Sequence, residues 1–137
     1  MTMRRLAGAF AAALALVPAG GALAHSASDA YLTLVAAGAP AGTTRVEARI
    51  DVALRDLDFA LGLDGDGNGG LTWAEVRARE AAIRTFLLDG VQASAAGSSC
   101  KLVPERQQIA MRSDGAYLAF FFAVTCAGQP RAIDLDS

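Results

Sequence analysis

The sequence predicts an α+β fold, mostly antiparallel β and sandwich-like, with one helix-loop-helix inserted into it. Three observations predict this. From Thr44 onward Val46, Ala48, Ile50, Val52 and Leu54 fall on one side and Arg45, Glu47, Arg49, Asp51 and Arg55 on the other, which marks a strand with one buried and one wet face. From Tyr117 to Cys126 the chain is almost wholly apolar, as a strand central to a sheet requires. Between them an Asp- and Gly-rich loop leads into Trp73, Val76, Ile83 and Leu87, which recur at helical spacing.

The chain has 137 residues, 53% hydrophobic, enough for one domain with a core. Its 12 Lys and Arg against 14 Asp and Glu leave a formal charge of −2 and no basic surface, so a nucleic-acid partner is not expected. A single histidine excludes sites built from several imidazoles.

Residues 1–24 have the order of a secretory signal peptide. Arg4 and Arg5 precede an uncharged run from Leu6 to Val17, Pro18, Gly20 and Gly21 break it, and Ala22-Leu23-Ala24 supplies a small-x-small cleavage site. A membrane anchor would need about 20 apolar residues, and the proline and glycines interrupt the run first. No cysteine lies near the site to carry a lipid. The expected product is a single exported domain over residues 25–137, periplasmic or secreted, with no later segment long enough to cross a bilayer. In an oxidising compartment Cys100 and Cys126 are expected to form a disulfide, stabilising the fold by about 3 kcal/mol through loop closure. A redox or metal thiol site is disfavoured, because C-x-x-C spacing is absent.

The elements then follow in order. Tyr31 to Val35 reads as a strand, ending in the turn region Gly38 to Gly42. The alternating strand from Thr44 comes next and runs into a short helix over Asp56 to Leu63. After the loop, one helix is expected from Trp73 to Leu88, with a Glu80–Arg84 pair and Gly90 as its stop. Val91 to Ala95 is a strand, and Ala96 to Ser99 turns the chain. Lys101 to Arg112 is extended, with Pro104 pointing to an edge position. Ser113-Asp114-Gly115 is a hairpin signal ahead of the central strand, and Ile133 and Leu135 alternate with polar neighbours.

Asp64-Gly65-Asp66-Gly67-Asn68-Gly69-Gly70-Leu71-Thr72-Trp73-Ala74-Glu75 matches the twelve-residue EF-hand calcium loop, within a helix-loop-helix at about 56–89. The spacing has a physical cause. Ca²⁺ takes six to eight oxygens at about 2.3–2.6 Å, so a short chain must wrap around it. Asp64, Asp66 and Asn68 turn alternate side chains inward, Gly69 permits the sharp turn, and the Gly70 carbonyl supplies an oxygen. Leu71 turns back to the core, Thr72 binds directly or through water, and Glu75 closes the ring. Gathered carboxylates without a cation would repel one another. Three other readings weigh less. Gly65-x-Gly67-x-x-Gly70 formally fits a dinucleotide fingerprint, but Asp64 and Asp66 would face the pyrophosphate. Thr72-x-x-Glu75 is a capping box, which is compatible with calcium. A merely solvated turn would seldom place Leu71 and Glu75 correctly. Such hands usually pair, and no second loop is present, so a weakly binding structural clip with a dissociation constant on the order of 10⁻⁴–10⁻³ M is expected.

No serine or cysteine finds a histidine base in the folded part, so an enzyme is not expected. A mature N-terminal His25 suggests a second reading, a periplasmic nickel- or copper-binding accessory protein, although the usual second imidazole is missing.

His25 to Leu34, Asp51 to Asp64 and Thr72-Trp73-Ala74-Glu75 together resemble the exported N-terminal region of HupE/UreJ-type membrane proteins, accessory to hydrogenase and urease systems. The resemblance covers most of residues 25–90. It implies calcium binding by Asp64, Asp66, Asn68, Gly70, Thr72 and Glu75, and a partner in the cell envelope or membrane. Such proteins continue into membrane helices, whereas nothing here spans a bilayer, so transport is not expected of this chain.

Overall fold

The computed structural model describes residues 30–136. The signal peptide expected over residues 1–24 and His25 lie outside them. Alternation in β2 (Thr43–Ala53) and apolarity in β6 (Gly115–Ala127) make these two the centre of a four-stranded antiparallel sheet. Val52 faces Leu118, Ile50 faces Phe120, Ala48 faces Phe122 and Val46 faces Val124. One register thus puts these eight apolar side chains on the same side, while Tyr117 and Phe121 fall on the other. β1 (Ala30–Ala37) lies beyond β2, and β5 (Lys101–Arg112) lies beyond β6. Pro104 therefore sits on an edge strand, and the ladder slips between Pro104 and Arg106.

Every strand pairing among the described residues is antiparallel, so the mostly-β, α+β expectation stands. A second sheet is small: β3 (Gln92–Ala95) lies between β4 (Ser98–Ser99) and β7 (Asp134–Asp136). The turn expected over Ala96 to Ser99 is tighter than that. Ala96 and Gly97 both take left-handed φ values, 48° and 79°, and this two-residue turn sends Ser98 and Ser99 straight back along β3.

Three helices cover the apolar side of the large sheet. α1 (Leu54–Leu61) grows directly from β2, two residues earlier than expected, because Leu54 and Leu57 both enter the core. Gly62, left-handed at φ 61°, ends it. The single helix expected from Trp73 to Leu88 is two, α2 (Trp73–Ala78) and α3 (Glu80–Asp89). At the break the Arg79 N–H is shared between the carbonyls of Glu75 and Val76, a tightened last turn that no glycine or proline in the sequence announces. Val76, Ile83 and Leu87 are buried as their spacing predicts, but Trp73 is 46% exposed and does not join them.

The outer face of the large sheet also departs from the expectation of a wet surface. Asp51 is 2% exposed there. Arg49 donates to its Oδ1 at 2.7 Å and Arg112 to its Oδ2 at 3.0 Å. Guanidinium groups lie over rings on this face, Arg106 over Phe121 at 3.7 Å and Arg112 over Tyr31 at 4.2 Å. Long polar side chains shield the apolar surface, so alternation alone misjudges its exposure.

Cys100 and Cys126 are bonded, at 2.08 Å, joining the start of β5 to the end of β6. Replacing both by serine should lower unfolding free energy by about 3 kcal/mol, read as an earlier urea midpoint. At the other end of the same hairpin, the Tyr117 hydroxyl donates to Asp114 Oδ2 at 2.7 Å and holds that carboxyl below its ordinary value of 3.8. Since the folded value is depressed, this contribution is complete above the ordinary Asp range and is lost as pH falls through the depressed value. In Tyr117→Phe the Asp114 carboxyl should titrate higher when followed by NMR.

Candidate metal centre

The loop from Asp64 to Glu75 is held by two apolar anchors. Leu63, 1% exposed, pins its start, and half-buried Leu71 packs against the same core near its end. Between these anchors the chain has little apolar surface to bury, and its shape is set by side-chain oxygens that accept backbone N–H groups.

Asp64 organises the first half. Its Oδ1 accepts from Gly67 N–H and its Oδ2 from Gly69 N–H, both at 2.8 Å. Gly69 can take part because its φ of +82° is left-handed, a conformation costly for a residue with a Cβ. Asp66 Oδ1 accepts from Asn68 N–H at 3.1 Å, and Asn68 Oδ1 accepts from Gly70 N–H at 2.8 Å. Glu75 closes the second half. Its Oε1 accepts from Gly65 N–H at 3.0 Å, and its Oε2 from Thr72 N–H at 2.8 Å and the Thr72 hydroxyl at 2.7 Å. Thr72 Oγ1 in turn accepts from Glu75 N–H, which completes the capping box read from Thr72-x-x-Glu75.

These bonds have an electrostatic consequence. Amide donation, from Gly69 above all, holds the Asp64 carboxyl below its ordinary value, and donation from Thr72 does the same for Glu75. Both groups are therefore anionic at neutral pH. The Gly65, Gly67 and Gly69 amides are all given to carboxylates of this chain, which removes the donors a pyrophosphate would need.

The structure brings three of the six predicted donor residues together. One oxygen each from Asp64, Asp66 and Glu75 lie within 4.8 Å of one another. Oxygens around one Ca²⁺ at about 2.3–2.6 Å can stand no more than about 5 Å apart, so the set has the size of one coordination sphere. Asn68 and Thr72 border the cluster, with their side chains engaged in the loop, Asn68 Nδ2 donating to Asp66 Oδ2 at 2.7 Å. Gly70 lies beside Asn68 and gives it its N–H. Hard oxygens carrying negative charge suit a hard divalent cation.

One contributor escaped the sequence reading. Asp58, in α1, accepts the Asp64 N–H on its Oδ1 at 2.8 Å. In sequence it is one more acid on a helix face, with no signal separating it from a solvated charge. Exposed Trp73, read from its spacing as core, instead lines a hollow of about 560 Å³ with Leu54, Leu71, Val76, Ile109 and Met111.

Comparison with family models, curated proteins and solved structures finds no match to this chain.

The capping box gives the first test. Thr72→Ala removes the oxygen that accepts Glu75 N–H and should cost about 0.5–2 kcal/mol in chemical unfolding, while Thr72→Ser should retain most of it. Faster hydrogen exchange at the Glu75 amide would localise the loss.

Proposed function

We propose that this protein is an exported calcium-binding domain and that residues 64–75 are its EF-hand-type loop. The observation carrying the reading is the convergence of Asp64, Asp66 and Glu75 within 4.8 Å, with two of those carboxyls held ionised by backbone amides. Asn68, the Gly70 carbonyl and Thr72 complete the donor set, and α1 and α2 serve as the entering and leaving helices. Calcium supplies the charge that neutralises the cluster and locks the loop between its apolar anchors. The fold is read as sandwich-like because Ala93 and Ala95 of the small sheet share one core with Phe120 and Val124 of the large one.

Export is supported by the signal-like residues 1–24 and by the Cys100–Cys126 bond, which suits an oxidising compartment. No helix among the described residues is long and apolar enough to cross a membrane. The domain is read as a structural or interaction module of the cell envelope rather than an enzyme. The sequence resemblance to the exported region of HupE/UreJ-type proteins and the hollow beside exposed Trp73 motivate a partner in the envelope.

Calorimetry on the oxidised protein with millimolar Ca²⁺ should register binding heat. At a dissociation constant on the order of 10⁻⁴–10⁻³ M, roughly 10 mM Ca²⁺ should stabilise the fold by about 1.4–2.7 kcal/mol. Glu75→Gln should abolish both responses. Absence of heat and of stabilisation in the unaltered protein would overturn the reading.

A further inference from the structure

We infer that Asp58 is a positioning residue for the cation site, bracing the loop from its own entering helix. The inference rests on the calcium reading above and extends it to a residue outside the loop motif.

The need arises from the way α1 ends. Gly62 turns left-handed, so helical hydrogen bonding stops before the loop begins. Buried Leu63 then separates the helix end from Asp64, whose N–H lies beyond the reach of the helical pattern. Asp58 answers both gaps. Its backbone carbonyl accepts Gly62 N–H at 2.7 Å, and its side-chain Oδ1 accepts Asp64 N–H at 2.8 Å. One residue thereby ties the last turn of the helix to the first acidic residue of the loop.

What Asp58 holds is passed on. Asp64 uses both carboxylate oxygens to gather the amides of Gly67 and Gly69 while contributing to the acidic cluster. Asp58 is not a member of that cluster, so its effect runs through the placement of Asp64. Among the described residues no second loop of this kind lies alongside to supply the usual brace. A hydrogen bond to a charged acceptor in a half-buried setting is a suitable substitute.

The test uses the full oxidised chain with Asp58→Ala and Asp58→Asn. The asparagine retains an acceptor oxygen and removes the charge, and it guards against misreading a folding defect in the alanine variant. Without metal, the Asp64 amide should lose protection from hydrogen exchange in Asp58→Ala and keep most of it in Asp58→Asn. In Ca²⁺ titrations, Asp58→Ala should bind about 10-fold more weakly or worse, with Asp58→Asn much closer to the unaltered protein. Equal weakening in both variants with an unchanged Asp64 amide would show a remote charge effect and overturn the inference. Unchanged affinity in Asp58→Ala, against an unaltered protein that binds, would overturn it alone. An unaltered protein that binds no Ca²⁺ would overturn the calcium reading and this inference with it.

Discussion

Like charges held together are the constraint from which the rest of the loop follows. Three carboxylates stand within 4.8 Å, an arrangement that water and mutual repulsion would otherwise disperse. Backbone N–H groups hold them there. Gly67 and Gly69 donate to Asp64, while Gly65 and Thr72 donate to Glu75. Each bond favours the ionised carboxylate and gives a partner to an amide that has none in a helix or sheet. The chain thus gathers a concentration of negative charge, at the expense of some intrinsic repulsion.

Such a loop depends on a rigid frame, and the frame is the β2–β6 pair with the helices against it. Leu63 and Leu71 are the points at which the loop enters the shared core, so its two ends cannot drift apart without exposing apolar surface. Val76 anchors α2 in the same way, which fixes the direction from which Glu75 reaches back. The Cys100–Cys126 bond ties the far end of the β5–β6 hairpin, away from the loop. Packing and covalent closure therefore act at opposite ends of the same sheet.

Local rules read well where one physical effect dominates. The strong alternation of β2, the apolarity of β6 and the edge position of Pro104 are all visible in the residues themselves. The turn at Gly69 and the capping box of Thr72 and Glu75 were equally legible, because such local geometry is set over a few consecutive residues. The break at Arg79 was not, since the surrounding Ala, Arg and Glu all favour helix. Trp73 shares the helical spacing of Val76 but comes on the first turn, at the margin of the core, where periodicity cannot say how far the sheet reaches.

Sequence alone determined which residues could serve as oxygen donors and which strands must be central, because both depend on residue type and short-range spacing. Tertiary structure decided what those residues meet. Only folding brings Arg112 across from β5 to buried Asp51 on β2, sixty-one positions away, and makes a neutralised pair of what alternation reads as exposed charge. Only folding turns Asp58 from a helix-surface acid into the acceptor for Asp64, since that requires the helix to stop at Gly62 and Leu63 to sink into the core. A hydrogen bond depends on position to within a fraction of an ångström, and such positions are set by the packing of the whole chain.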